Sequence, residues 1–294
     1  MQRVFVIGGT TFDHIIYLPE FPQPVPQTIH DAKFNEATGS TGAGKALCLQ
    51  KLEVPNTLYS VLGDDSFGQQ IIKHLKKEQV DFIYDIDEKG TERHFNIMDE
   101  QGNRISVFVT QSSEKPSINI SLIEENIRES DIIVLNIISY CKQIVPVLKH
   151  YDKPVWTDLH DYNNGNPYHE PFIDASDYIF LSSDNLTDYK KTMQSLMERG
   201  KELVVCSHGK NGATALTSQG EWIEEPALSF EMVDANGAGD SFFSGFLWAF
   251  MKGKTVRECM KYGTICGGLC ITSGQLVYDG LTPEFLERAY LKYY

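Results

Sequence analysis

The sequence has no long apolar run, a shortage of positive charge and no paired-cysteine motif. Each lack removes a class of function. The apolar run nearest the N-terminus, Val4 to Ile7, spans four residues, which is too short for a signal-peptide core. No stretch approaches the roughly 18 apolar residues of a membrane span. A soluble, cytoplasmic protein with no membrane partner is expected. Lys and Arg total 26 against 40 Asp and Glu, a formal net charge of −14. Nucleic acids and anionic membranes attract basic surfaces, so neither is an expected partner. A small anion can still be held locally by backbone amides. The six cysteines (48, 141, 206, 259, 266 and 270) form no CxxC, and the eight histidines form no HExxH. Reduced packing cysteines are expected, and no zinc site. No GxGxxG follows the first apolar run, which sets aside a dinucleotide-binding dehydrogenase.

What is present is a rhythm. The 294 residues are 41% hydrophobic, enough for a sizeable core. Short apolar runs recur at Val4 to Ile7, Asp131 to Ile138, Pro154 to Thr157, Tyr178 to Leu181 and Leu203 to Cys206. Each ends in polar residues or glycine, as do strands of a parallel sheet buried on both faces. Helical spacing fills the intervals, as in Gln69 to Lys77 and Leu122 to Arg128. An α/β layered fold with a mostly parallel central sheet follows, with ligands expected beyond the carboxyl ends of the strands. Two segments break the rhythm. Residues 94–109 alternate as a hairpin about Glu100-Gln101-Gly102-Asn103. Residues 12–38 look extended, with prolines at 19, 22, 24 and 26 that forbid helix. Either they join as a small β flap, spanning about 12–38 and 91–110, or they are edge hairpins without a role. No repeat or linker divides the chain, so 1–294 reads as one domain.

The stretch MVDANGAGDSFFSGFLWAF, residues 232 to 250, carries the chemistry. Phe242, Phe246, Leu247 and Phe250 share one helical face, and Gly253 suits the stop. The helix then begins near Ala238-Gly239, and its first amides have no intrahelical acceptor. Glycine permits close approach to that backbone. The acid at Asp240 could merely complement the helix dipole, and Gly-Ala-Gly could be ordinary turn chemistry. Taken together they suggest amides that hold a phosphoryl group and a base that deprotonates an attacking hydroxyl.

Asp234-Ala-Asn-Gly-Ala-Gly-Asp240 resembles the DTxGAGD signature of the ribokinase-like (PfkB) carbohydrate kinases. Four further segments are similar to that family in the same order: Gly8 to Asp13, Gly39 to Ala46, Leu62 to Gly68 and Ser207 to Gly212. The resemblance implies a ribokinase-like α/β/α fold with a β lid from the hairpin. It also implies an ATP- and Mg²⁺-dependent kinase acting on a hydroxymethyl group of a small sugar or nucleoside-like substrate. By the same resemblance Asp240 is the base, and Gly237, Ala238 and Gly239 form the anion hole. Asp13, Thr11, Gly39, Ser40 and Gly44 fall in the sugar site. Ser182, Asn185, Ser207, Gly209, Gly212, Gly239 and Thr264 fall near ATP. Asp234 helps shape a monovalent-cation (K⁺) site, as in some relatives, and lid strands such as Ile105, Val107 and Phe108 are compatible with a homodimer.

Several positions depart from the family pattern. Thr11, Ser40 and Gly44 replace its Asn, second Gly and sugar-binding Asn. Ile138 stands where an acid is frequent. The NxxE element tied to Mg²⁺ reads as Ser182-x-x-Asn185, or in another register as Asn185-x-x-Asp188. Lost hydrogen-bonding groups imply a substrate other than ribose, and a sugar-binding or regulatory protein with weak turnover remains the rival. Gly39 to Ala46 also fits GxxxxGK, but Ala46 stands where a P-loop needs Ser or Thr, and Lys33 to Thr38 is too polar for a buried strand. Lys45 is then expected to be a solvated residue at a helix start, and His160 a polar strand-end residue.

Overall fold

The structure, a computed structural model, describes residues 2–100 and 104–294. The expected turn at Gln101-Gly102-Asn103 lies outside the described residues. Thirteen strands occur among them: β1 (Val4–Ile7), β2 (Thr11–Leu18), β3 (Lys33–Gly39), β4 (Asn56–Leu62), β5 (Asp81–Ile86), β6 (Arg93–Asp99), β7 (Arg104–Thr110), β8 (Ile132–Leu135), β9 (Val155–Asp158), β10 (Tyr178–Ser182), β11 (Leu203–Ser207), β12 (Ala213–Thr217) and β13 (Trp222–Glu225). The α-helices are α1 (Thr41–Lys51), α2 (Ser66–Lys77), α3 (Ile120–Glu129), α4 (Val145–Leu148), α5 (Glu170–Ala175), α6 (Tyr189–Met197), α7 (Ala238–Met251), α8 (Val256–Cys270) and α9 (Pro283–Tyr293).

Nine strands form the main sheet, in the order β13-β12-β11-β10-β9-β8-β1-β4-β5. Pairing is parallel from β11 to β5, and β12 and β13 add an antiparallel edge. Side chains alternate across it with period two. Val4, Val6, Leu58, Val134 and Val205 face a core covered by α1, α2, α7, α8 and α9. Phe5, Ile7, Tyr59, Leu135 and Val204 face a second core under α3 to α6. That is why the sequence runs of these strands look continuously apolar. It also makes the molecule a three-layer α/β/α sandwich.

The two rhythm-breaking segments meet in a separate four-stranded sheet, ordered β3-β2-β6-β7. β2 pairs antiparallel with β3 and parallel with β6, setting Asp13 opposite His94. The polar segment Lys33–Gly39 is therefore an exposed edge strand of this second sheet. Edge strands tolerate such composition because only one side of the ladder is buried. Asp65 ties the second sheet to the main body. Its carboxylate caps α2 by accepting from the Phe67 and Gly68 amides and also accepts from the amide and hydroxyl of Thr91. This gives the Leu62 to Gly68 motif its structural reason: it anchors the strand leading into β6.

Candidate active site

The apolar face of α7 is buried through Phe243, Phe246 and Leu247. At about 1.5–3 kcal/mol for each such side chain, the helix is fixed against the sheet. Its N-terminus therefore points at a defined place above the strand ends. Gly237 caps it with φ 81°, a left-handed conformation, and a Cβ there would strike the Leu276 carbonyl oxygen. Glycine is required on both counts. Around Gly239, by contrast, an added Cβ would meet nothing within 4 Å. The Ala238 amide donates to the Ala235 carbonyl at 3.3 Å, whereas the amides of Gly237, Gly239 and Asp240 have no protein partner among the described residues. Two of the three amides of Gly237-Ala238-Gly239 are thus open donors, and that of Asp240 joins them.

The loop before the helix is held from two sides. Asp234 is buried; its Oδ1 accepts from the Asn236 amide at 2.8 Å and its Oδ2 from the Tyr17 hydroxyl at 2.9 Å. Arg104 Nη1 donates to Asn236 Oδ1 at 2.9 Å. Tyr17 lies on β2 and Arg104 on β7, so the second sheet grips the loop that carries the anion site.

A cleft of about 950 Å³ lies between the second sheet and the strand ends. Gly237, Gly239 and Asp240 line one wall, and Asp13 and Ser40 another. On β6 and β7 the alternate residues His94, Asn96, Arg104, Ser106 and Phe108 turn into it, as the period-two pleat requires. Asp13 accepts from Thr11 Oγ1 at 2.7 Å and from Asn96 Nδ2 at 3.2 Å, and Ser106 donates to Asn96 at 2.7 Å. Burial pushes the Asp13 carboxyl above its usual range, although Thr11, His94, Arg104 and Asn96 all pull it back. His94 packs on Phe108 with ring centroids 4.0 Å apart and the rings tilted by 53°, and it lies between the carboxylates of Asp13 and Glu92.

Three expected sugar-site residues stand behind the cleft wall. Thr11 orients Asp13. Gly39 lies so close to Asp13 that a Cβ would strike its carboxylate. A Cβ on Gly44 would come within 2.6 Å of Asp240 Oδ2, so this glycine makes room for the acid. Of the expected nucleotide residues Gly239 lines this cleft, and Ser182, Asn185, Ser207, Gly209, Gly212 and Thr264 do not. Ser182 and Ser207 pair in register at the ends of β10 and β11. Gly209 and Gly212 shape the following turn with φ of 54° and 95°. Asn185 donates to the Asp161 carbonyl at 3.0 Å, and Thr264 is buried on α8.

Lys45 corrects the expectation of a solvated residue. It has no exposed surface, and its Nζ lies 2.5 Å from Asp240 Oδ1 and 3.3 Å from Asp158 Oδ2. α1 packs flush against α7, so this face of the helix is interior. The same burial removes it from any P-loop role. His160 does line the cleft; φ is 54° there, and its amide donates to Asp158 Oδ1 at 2.9 Å. Sequence reasoning missed Lys45, Asp158, His94, Asn96, Arg104 and Tyr17 as parts of the site. For His94 and Asn96 a signal existed, since polar side chains two apart on a strand share a face.

The cysteines are all free and buried. Among the described residues no group of three or more His, Cys, Asp or Glu could hold a metal ion. No helix of the described residues is long and apolar enough to cross a membrane.

Comparison with known proteins bears on this geometry. Residues 1–147 and 173–281 match the pfkB family carbohydrate kinases. The acarbose 7(IV)-phosphotransferase of an Actinoplanes species is 30% identical over 274 residues, 92% of each chain. A nucleoside kinase of Methanothermobacter thermautotrophicus is 25% identical, covering 90% of this chain and 87% of its own. Among solved structures, a microbiome-derived acarbose kinase superposes with a TM-score of 0.90 at 26% identity, covering 99% of each chain. Arabidopsis thaliana ribokinase in complex with ribose and ATP shares the fold, with a TM-score of 0.82 at 20% identity over 100% of this chain and 99% of its own. With this fold, and with the family match running across both sheets and the helix that carries Asp240, the chain belongs to the pfkB family of carbohydrate kinases.

Proposed function

We propose that the protein transfers the γ-phosphoryl group of MgATP to a hydroxyl, of hydroxymethyl type, on a sugar-like acceptor bound between Asp13 and Asp240. One observation carries this reading. The unpartnered amides at the start of α7, the carboxylate of Asp240 and the Asp13–Asn96 pair all face one cleft. In the reaction the acceptor oxygen attacks phosphorus, the bond from the γ-phosphorus to the bridging oxygen of ADP breaks, and the hydroxyl proton passes to Asp240. The Gly239 and Asp240 amides donate to the equatorial oxygens, where charge builds in a loose transition state. Asp13 and Asn96 hold the acceptor's other hydroxyls, and the tilted rings of His94 and Phe108 give its ring an apolar wall. The second sheet acts as a lid that excludes water.

Mg²⁺ enters with the nucleotide phosphates. Asp234, expected to help shape a K⁺ site, braces the loop with one accepted hydrogen bond on each oxygen, and each oxygen keeps a further lone pair for a cation. The cleft, at about 950 Å³, is large for a lone pentose beside a triphosphate. Together with the two acarbose-phosphorylating relatives, this favours an acceptor of more than one ring. Homodimerisation through the outer face of the second sheet is supported by Ile105, Val107 and Val109, each about half exposed. The test is ADP release across acarbose, oligosaccharides, free sugars and nucleosides. Acceptor-dependent release with a multi-ring compound supports the reading. Tight acceptor binding without ADP release would establish a binding protein instead.

A further inference from the structure

We propose that Lys45 is the positioning residue of the base: its ammonium grips Oδ1 of Asp240 and leaves Oδ2 free for the acceptor hydroxyl. The inference rests on the reading of Asp240 as the base. Lys45 reaches Asp240 from α1, across the α1–α7 contact, at 2.5 Å, and meets Asp158 of β9 at 3.3 Å. Its Nζ also lies 5.1 Å from the Phe243 ring centroid. A fully buried ammonium is tolerated only where carboxylates compensate its desolvation, and here two of them do so from different elements. The preceding residue completes the seat. A Cβ at Gly44 would lie 2.6 Å from Asp240 Oδ2, so Gly44 clears the side of the carboxylate that Lys45 does not hold.

Other charged or titratable groups near the pair do not compete. Burial pushes the Cys48 thiol up to about 12 and that of Cys270 up to about 11, so both are neutral where the enzyme works. Burial pulls Lys45 down, but Asp240 and Asp158 outweigh it and leave it raised. Lys45 is therefore the cation facing the base. Asp158 carries the link outward: it takes the His160 amide on Oδ1, and His160 Nδ1 lies 3.4 Å from its Oδ2. The far nitrogen of that ring, Nε2, is buried without a partner among the described residues.

A merely structural ion pair would affect folding alone, whereas a positioning role also shows as a loss in kcat without one in KM. In Lys45→Met, kcat is expected to fall by about 10²-fold while KM for ATP and acceptor stays within about threefold. Lys45→Arg, which keeps the charge, should recover part of kcat. Wild-type kcat in folded Lys45→Met, with Asp240→Asn inactive, would overturn the positioning role and spare the base. Unchanged turnover in Asp240→Asn would instead overturn the base itself. Should Lys45→Met fail to fold, ¹⁵N-lysine spectra of the wild type decide. A slowly exchanging ammonium signal that shifts on acceptor binding supports the proposal, and one that ignores the acceptor contradicts it.

Discussion

Replacing Gly237 by alanine should separate the anion site from the rest of the machinery. The residue sits at φ 81° with the Leu276 carbonyl oxygen against the missing side chain. An L-residue in the left-handed region costs about 1–2 kcal/mol, and the clash is with backbone, which cannot rotate away. The loop must therefore shift, at a total stability cost of about 1–3 kcal/mol. That corresponds to a fall in Tm of roughly 2–4 °C per kcal/mol for a chain of this size. The shift also displaces the first α7 amides. Losing one well-aimed donor costs about 10²–10³ in kcat. Gly239→Ala is the paired control. Its Cβ meets open space, and alanine favours a helix by about 1 kcal/mol over glycine, so its Tm should hold or rise. Its methyl group nonetheless stands where the phosphate would approach, and kcat should drop. Coupled ADP-release kinetics and thermal melts on both variants make the comparison. Wild-type kcat in a Gly237→Ala protein, or in a fully stable Gly239→Ala protein, would refute the placement of the phosphate at this helix tip.

Further outcomes follow from the carboxylates around the cleft. Asp13→Asn should raise acceptor KM by at least about tenfold, with a smaller effect on kcat, because it removes an anionic acceptor of hydroxyl hydrogen bonds. Burial raises Asp13 above the ordinary carboxylate range. Wild-type KM should therefore begin to climb on acidification while still above about pH 4, and that limb should vanish in the variant, as initial-rate kinetics will read. Asp65→Ala should cost about 0.5–2 kcal/mol in denaturant melts through loss of the α2 cap. Although burial opposes it, bonds from Thr91, Gly68 and Phe67 hold Asp65 below its usual value. A depressed folded value means that this stability is complete above the ordinary range and lost as pH falls through the depressed value, so the gap between wild type and variant should narrow below about pH 4.

Much of the architecture could be read from the chain because it rests on short-range patterns. The apolar runs that became β1, β8, β9, β10 and β11 announced a sheet buried on both faces, and α7 began at Ala238 as its apolar spacing required. The second sheet was legible from alternation and prolines, although Lys33–Gly39 was too polar to read as a strand until its edge position was visible. Lys45 was misread for a physical reason. Local sequence reports that a lysine opens a helix, but not that this face packs on α7, and its two carboxylate partners lie 113 and 195 residues away. Asp234 was read from its motif as helping to shape a cation site; its further role in bracing the loop was not legible, because the Tyr17 hydroxyl that donates to it comes from 217 residues away. Gly44 was read as a sugar contact, and only the folded chain shows Asp240 pressed against it.

The most direct measurement is single-turnover ADP formation by Asp240→Asn at saturating MgATP and acceptor, with acceptor affinity measured by calorimetry on the same protein. Loss of a general base costs about 10²–10⁴ in rate, so the chemical step should slow by that factor while acceptor affinity changes little. ADP formation within tenfold of wild type would contradict the assignment of proton removal to this carboxylate.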